Sequence, residues 1–127
     1  MLLNVVIGKA LSNPFVKDGH PLVSKIAASE NPKQDILKSV EAIGGFSRII
    51  SKGDKVLVKP NYNSADTPPA STEPGFLKAM VELLFIHGAG KVVVGESSWQ
   101  MLKTRKALDE TGVLAALDGT GAEIAFF

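Results

Sequence analysis

The chain contains no cysteine. That absence removes a disulfide framework, a thiolate nucleophile, a zinc knuckle and a cysteine-ligated iron–sulfur cluster from within these residues. An excess of one charge is also missing. The 14 Lys+Arg stand against 13 Asp+Glu, a net charge of +1, so there is no chain-wide basic footprint for nucleic acid. Long apolar runs are lacking too. Val81–Ile86 is interrupted by Glu82 and falls far short of the roughly 20 residues that cross a bilayer. Met1–Gly8 is apolar but short, and no basic leader precedes it as a signal peptide requires. The expectation is a soluble, cytoplasmic protein that partners neither nucleic acid nor membrane. Glycine motifs are missing as well. Gly8-Lys9-Ala10 lacks the spacing of a dinucleotide fingerprint, and there is neither a Gly-Lys-Ser/Thr phosphate loop nor a Gly-x-Ser-x-Gly elbow. A serine hydrolase or nucleotide kinase is thereby disfavoured.

What is present suits one globular core. The 127 residues are 45% hydrophobic and 21% charged, too apolar for a disordered chain. Strands are expected at Leu2–Ile7, Lys55–Val58, Lys91–Val94 and Ala122–Phe127, the last three each introduced by a glycine turn. Their continuous β-branched character suits strands of a parallel sheet buried on both faces. Asn31 reads as an N-cap with Pro32 at the first helical position. Ile36, Val40 and Ile43 then share one face until Gly44-Gly45 stops the helix. A second helix runs from Glu73-Pro74 to His87, with an apolar arc wide enough to be covered on more than one side. Shorter helices are expected over Thr104–Thr111 and Val113–Leu117, and a short one around Leu22–Ala28. This alternation predicts an α/β fold built on an open, mostly parallel, doubly wound sheet. Helices would cover both faces in three α/β/α layers, and the sheet would be incomplete as it stands. Residues 1–127 then form a single α/β domain or the N-terminal portion of a larger one.

Open α/β sheets bind ligands in the crevice outside the C-terminal ends of their strands. Three strand ends should meet there: Gly8-Lys9, Lys59-Pro60-Asn61 and Gly95-Glu96-Ser97-Ser98. Two long connections, Ala10–Glu30 and Asn61–Thr72, leave the same edge, and long connections in compact domains are often functional. Proline directly after Lys59 stops the strand and fixes where the lysine leaves the sheet. Lys59, Lys9 and the free N–H groups near Thr72 suit a small anionic ligand, with Asn61, Ser97 and Ser98 as hydrogen-bonding neighbours. Glu96 is open to three readings: general base, metal ligand, or ion-pair partner of Lys59. As an enzyme, the chain would use Lys59 and Glu96 as its catalytic pair. His20 has no second ligand at metal spacing, so no metal site is expected, and His87 is expected to serve the helix end. Trp99 and Tyr62 lie in the presumed site loops, within reach of a ligand ring, though packing is the expected role for each.

The run Lys52-Gly53-Asp54-Lys55-Val56-Leu57-Val58-Lys59-Pro60-Asn61 resembles the hallmark of the family called "domain of unknown function 362". So does the order that follows: Thr72-Glu73-Pro74 before an apolar helix, then Gly88-Ala89-Gly90-Lys91-Val92-Val93-Val94-Gly95-Glu96-Ser97. The resemblance covers Leu3 to Phe127 and is strongest from Lys52 to Ser97. It implies an α/β protein of unsettled biochemistry, often associated with [4Fe-4S] clusters held by a ferredoxin-like module fused after the domain. On that likeness Lys59, Asn61, Glu96 and Ser97 carry over as site positions. No cofactor is expected within this chain, and a [4Fe-4S] cluster would sit in an attached or partner module. The ending Phe126-Phe127 is more apolar than the usual exit from a buried strand. It leads to the expectation of a missing C-terminal half or a homo-oligomer that completes the sheet. The rival to a ligand-binding or redox-supporting role is an interaction domain that docks through this apolar strand.

Overall fold

A computed structural model of the chain describes residues 15–127. The expected strand Leu2–Ile7 and the site candidate Lys9 lie outside the described residues. The first regular elements are β1 (Val16–Lys17) and β2 (His20–Pro21), an antiparallel hairpin. Its turn, Asp18-Gly19, has positive φ at both residues (51° and 78°), the combination whose twist matches a tight hairpin.

The segment after the hairpin departs from expectation, because no helix forms around Leu22–Ala28. A short helix is stable only when it buries an apolar face, and Val23 is 85% exposed. Side chains tie the segment to the next element instead. The hydroxyls of Ser24 and Ser39 lie 2.7 Å apart, and the Asp35 carboxylate accepts from Ser29 N–H at 2.6 Å and from its hydroxyl at 2.8 Å. These bonds hold the Asp35 carboxyl below its usual range, the backbone N–H being the larger cause.

Helix α1 (Pro32–Glu41) begins as its sequence dictates. Asn31 accepts from Gln34 N–H at 3.1 Å, an N-cap of about 1 kcal/mol, and Pro32 occupies a position that needs no N–H. A single 3₁₀ turn over Phe46–Arg48 leads to β3 (Lys55–Val58). Helix α2 (Pro74–Ile86), β4 (Lys91–Glu96), α3 (Thr104–Glu110), α4 (Val113–Leu117) and β5 (Glu123–Phe126) complete the order. The helices α2, α3 and α4 fall where the sequence places them. Strand β4 runs two residues past the expected Val94, for a physical reason. Pro60 has no N–H to extend the β3 ladder, whereas β5 still pairs with β4 through Gly95–Ala125 and Glu96–Phe126.

The sheet is open and parallel, in the order β3-β4-β5, so each strand lies beside the one before it. Helix α2 packs on β4 and is flanked by α1 on one side and α4 on the other. This accounts for its wide apolar arc: Leu77, Ala79, Val81, Leu83 and Leu84 are all buried. The helix-facing residues of the sheet include Val92 and Val94 of β4, both essentially inaccessible, with Val56, Val58 and Ile124 packed beside them. Each fully buried Val or Leu contributes about 1.5–3 kcal/mol. The other face is uncovered among the described residues, and Leu57 there is 61% exposed. A doubly wound sheet with helices on both faces would place its second layer on that side. The fold is therefore α/β with an open parallel sheet, and the described helices form one layer.

At the N-terminal ends of β3 and β4 the two turns interlock by backbone alone. Gly53 N–H donates to Gly88 O and Gly90 N–H to Asp54 O, each at 2.8 Å. A Cβ on Gly90 would lie 2.8 Å from Gly53 O, so only glycine allows this approach. His87 caps α2 and stacks on the Phe46 ring, centroid to centroid 4.4 Å, in keeping with a structural role.

Candidate functional site

At the C-terminal ends of the strands the connection is made by side chains, and Glu96 is its centre. Although charged, Glu96 is only 1% exposed. Its carboxylate accepts from the Lys59 ammonium at 2.7 Å, from Tyr62 N–H at 2.8 Å and from Ser97 N–H at 2.8 Å. Burial pushes its pKa up, but the Lys59 hydrogen bond and the two backbone N–H groups outweigh it, and the carboxyl sits below its ordinary value of 4.5. A carboxylate saturated with donors and held ionised has little appetite for a proton. Of the three readings open in the sequence, the geometry favours ion-pair partner and loop clamp. Among the described residues no group of three or more His, Cys, Asp or Glu is placed to hold a metal ion.

The rest of the edge is wired around this clamp. Lys59 Nζ also donates to Pro60 O at 3.0 Å, while its side chain remains 64% exposed. An ammonium has three N–H donors, so one is left over. Asn61 and Thr72 grip each other at the two ends of the β3–α2 loop. Asn61 N–H donates to Thr72 Oγ1 at 2.9 Å, Thr72 N–H donates to Asn61 O at 3.0 Å, and the Asn61 amide donates to Ala70 O at 2.9 Å. Ser98 Oγ donates to Tyr62 O at 2.6 Å and Ser98 N–H to Thr104 Oγ1 at 3.0 Å, which joins the β4–α3 loop to the same network. Tyr62 is fully buried, and its hydroxyl donates to Thr72 O. Burial, with the charges of Glu73 and Glu96 adding to it, pushes the phenol up to about 12.

The structure thus brings Lys59, Asn61, Thr72, Glu96, Ser97 and Ser98 to one edge. It assigns most of their polar groups to one another. The N-terminus of α2 is not open to a ligand in the way the sequence suggests, because the Glu73 carboxylate itself accepts from Gly75 N–H and Phe76 N–H. Nearby Ser71 is buried with an unpartnered hydroxyl.

Next to the clamp lies a cleft of about 610 Å³ at the C-terminal ends of β4 and β5, lined among others by Ser97, Trp99, Lys103, Arg105 and Phe127. Sequence reasoning missed Lys103 and Arg105 and expected Trp99 to pack. Instead Trp99 is 62% exposed. The available signal was a basic pair at the start of a helix that follows a strand end; exposure has no signature in a lone tryptophan. A larger cleft, about 770 Å³, lies between Ser24–Glu30 and the helices α1 and α2, away from this edge.

The clamp residues and the strands that carry them fall within a recognised family pattern. The family described as "Domain of unknown function (DUF362)" matches residues 56–127, which include every site candidate among the described residues; Lys9 lies outside the match. Comparison with curated proteins and with solved structures gave no match. The match spans more than half of the chain, from β3 through β5, and the chain belongs to the DUF362 family.

Proposed function

We propose that this member of the DUF362 family is a ligand-binding α/β module that takes a small anion at the C-terminal edge of its parallel sheet. The observation that carries the reading is the state of Lys59. Its ammonium is steered by Glu96 at 2.7 Å and Pro60 O at 3.0 Å, yet it keeps a third N–H and a largely exposed side chain. Glu96 is then a positioning residue that sets the direction of the cation. Asn61, Thr72 and Ser98 hold the loops, and the exposed Ser97 offers a hydroxyl beside them. In a redox setting, any thiolate-ligated [4Fe-4S] cluster would be held by an attached or partner module, since this chain has no cysteine. The module would supply the bound anion to that partner's chemistry.

A thermal-shift panel of phosphate, small carboxylates and divalent metals tests this. A ligand that binds only the folded state raises Tm by mass action. At least one anion should shift wild type and lose that shift in Lys59→Ala, whose starting Tm is lower because the buried Glu96 carboxylate loses its cation. Equal shifts in both proteins, or none in either, would sink the reading.

A second reading has its own observation. The sheet face left uncovered among the described residues carries Leu57 and Phe127, 61% and 71% exposed, and exposed apolar surface of this kind favours association. Light scattering across a hundredfold concentration range separates the two. A mass that rises with concentration supports self-association through this face, and a constant monomer mass removes it.

A further inference from the structure

The cleft beside the clamp has three properties that together specify a ligand. The first is the stacking surface. Trp99 is fixed by its backbone, its N–H donating to Asn63 O at 2.9 Å and its O accepting from Leu102 N–H at 2.8 Å. The indole nonetheless remains 62% exposed. An indole carried on a tethered main chain and left bare is a platform for another ring.

The second property is charge. Lys103 and Arg105 both line the cleft, and none of its lining residues is acidic. Among the described residues no carboxylate pairs with either cation. Arg105 is also positioned, its guanidinium lying over the Phe126 ring at 4.8 Å from the centroid. The third property is size. About 610 Å³ falls in the range of small-molecule sites and far exceeds what one inorganic anion fills.

We infer that this cleft binds a planar aromatic ring bearing an anionic group, with the ring on Trp99 and the anion at Arg105 and Lys103. The inference rests on the anion-binding reading above and names the class of ligand for the same sheet edge. An aromatic carboxylate and a nucleoside monophosphate share this chemistry. Ser97 and Gln100 also line the cleft, and Ser97 N–H donates to the Glu96 carboxylate that holds Lys59, which links the cleft to the clamp.

Trp99 is the only tryptophan, so its emission reports on the cleft directly. The full chain is titrated with AMP, adenosine and inorganic phosphate, and in parallel with benzoate, benzyl alcohol and acetate. In at least one series the charged ring should change the emission saturably and bind about tenfold or more tighter than either its neutral or its ringless analogue. Whether AMP or benzoate does so identifies the source of the anion. Arg105→Ala should remove that advantage over the neutral ring. Trp99→Leu, followed by calorimetry, should reduce the charged ring to the affinity of the ringless anion. Phosphate or acetate binding as tightly as the charged ring, with dependence on Lys59, would overturn the inference and leave the anion reading standing. Neutral rings binding as well as charged ones would overturn the anionic part. No binding by any of the six would overturn both.

Discussion

The clamp and the cleft adjoin each other at the same sheet edge, and they handle polarity in opposite ways. In the clamp, Glu96 is buried and its oxygens are matched by Lys59, Tyr62 N–H and Ser97 N–H. In the cleft, Trp99 is bare and Lys103 and Arg105 face no carboxylate among the described residues. A buried charge must be satisfied by the protein itself, so the residue that looks most chemical is committed to structure. Groups left unsatisfied at a concave surface remain free for a ligand. The lesson is that availability, and not residue type, distinguishes a site from its scaffold.

That contrast is most directly broken at Glu96. Glu96→Ala removes three hydrogen bonds and strands two backbone N–H groups, with an expected cost of about 3–5 kcal/mol. Urea denaturation measures it, and a loss under about 1 kcal/mol would mean that the clamp is not a structural device. Acid titration asks the same question more gently. The folded pKa of Glu96 lies below 4.5, so its contribution is fully present above that value and is lost as pH falls through the folded pKa. The urea midpoint of wild type should therefore drop below pH 4.5 more steeply than that of Glu96→Gln. Asp35, whose pKa is also lowered, is common to both proteins and cancels.

At the alkaline end the reporter is Tyr62, the only tyrosine. Its folded pKa is raised from 10.0 to about 12, so stability is complete below 10 and declines as pH rises toward 12. Absorbance at a phenolate wavelength should show no titration near 10 and a late transition that coincides with unfolding. An ordinary titration with the fold intact would show that the loop around Tyr62 opens freely. The smallest effects belong to the cleft. Trp99→Ala and Arg105→Ala should each stay within about 0.5 kcal/mol of wild type in the same urea experiment, as exposed positions do. A larger loss at either would make the cleft part of the scaffold and erase the comparison.

Much of the fold was legible because its signals are local. Asn31-Pro32, Glu73-Pro74 and the glycine turns mark ends that the chain must obey whatever surrounds them. The stretch Leu22–Ala28 was misread as helical because helix formation there depends on a tertiary face that Val23 does not find. The family pattern from Lys59 to Ser97 pointed to the C-terminal edge of the sheet, where the structure brings Lys59, Asn61 and Glu96 together. What could not be read was the division of labour at that edge. Whether Glu96 is a base or a clamp depends on two backbone N–H groups brought by a loop, and backbone donors leave no trace in side-chain identity. Glu73 marked the start of α2, but that its own carboxylate takes up the Gly75 and Phe76 N–H groups expected to be free for a ligand was not read from it.

The strand order β3-β4-β5 has a consequence for how the molecule assembles. Among the described residues each strand of this sheet docks beside the one just completed, so none has to thread between earlier ones. The Glu96 bonds to Lys59 and Tyr62 close loops of only 37 and 34 residues. The entropy of closing such loops is modest and grows slowly with length. The β3–α2–β4 unit can therefore be sealed at its far end by contacts that do not involve β5. The clamp lies at the end of β4, whose Glu96 pairs with Phe126, so it holds the edge on which β5 is laid.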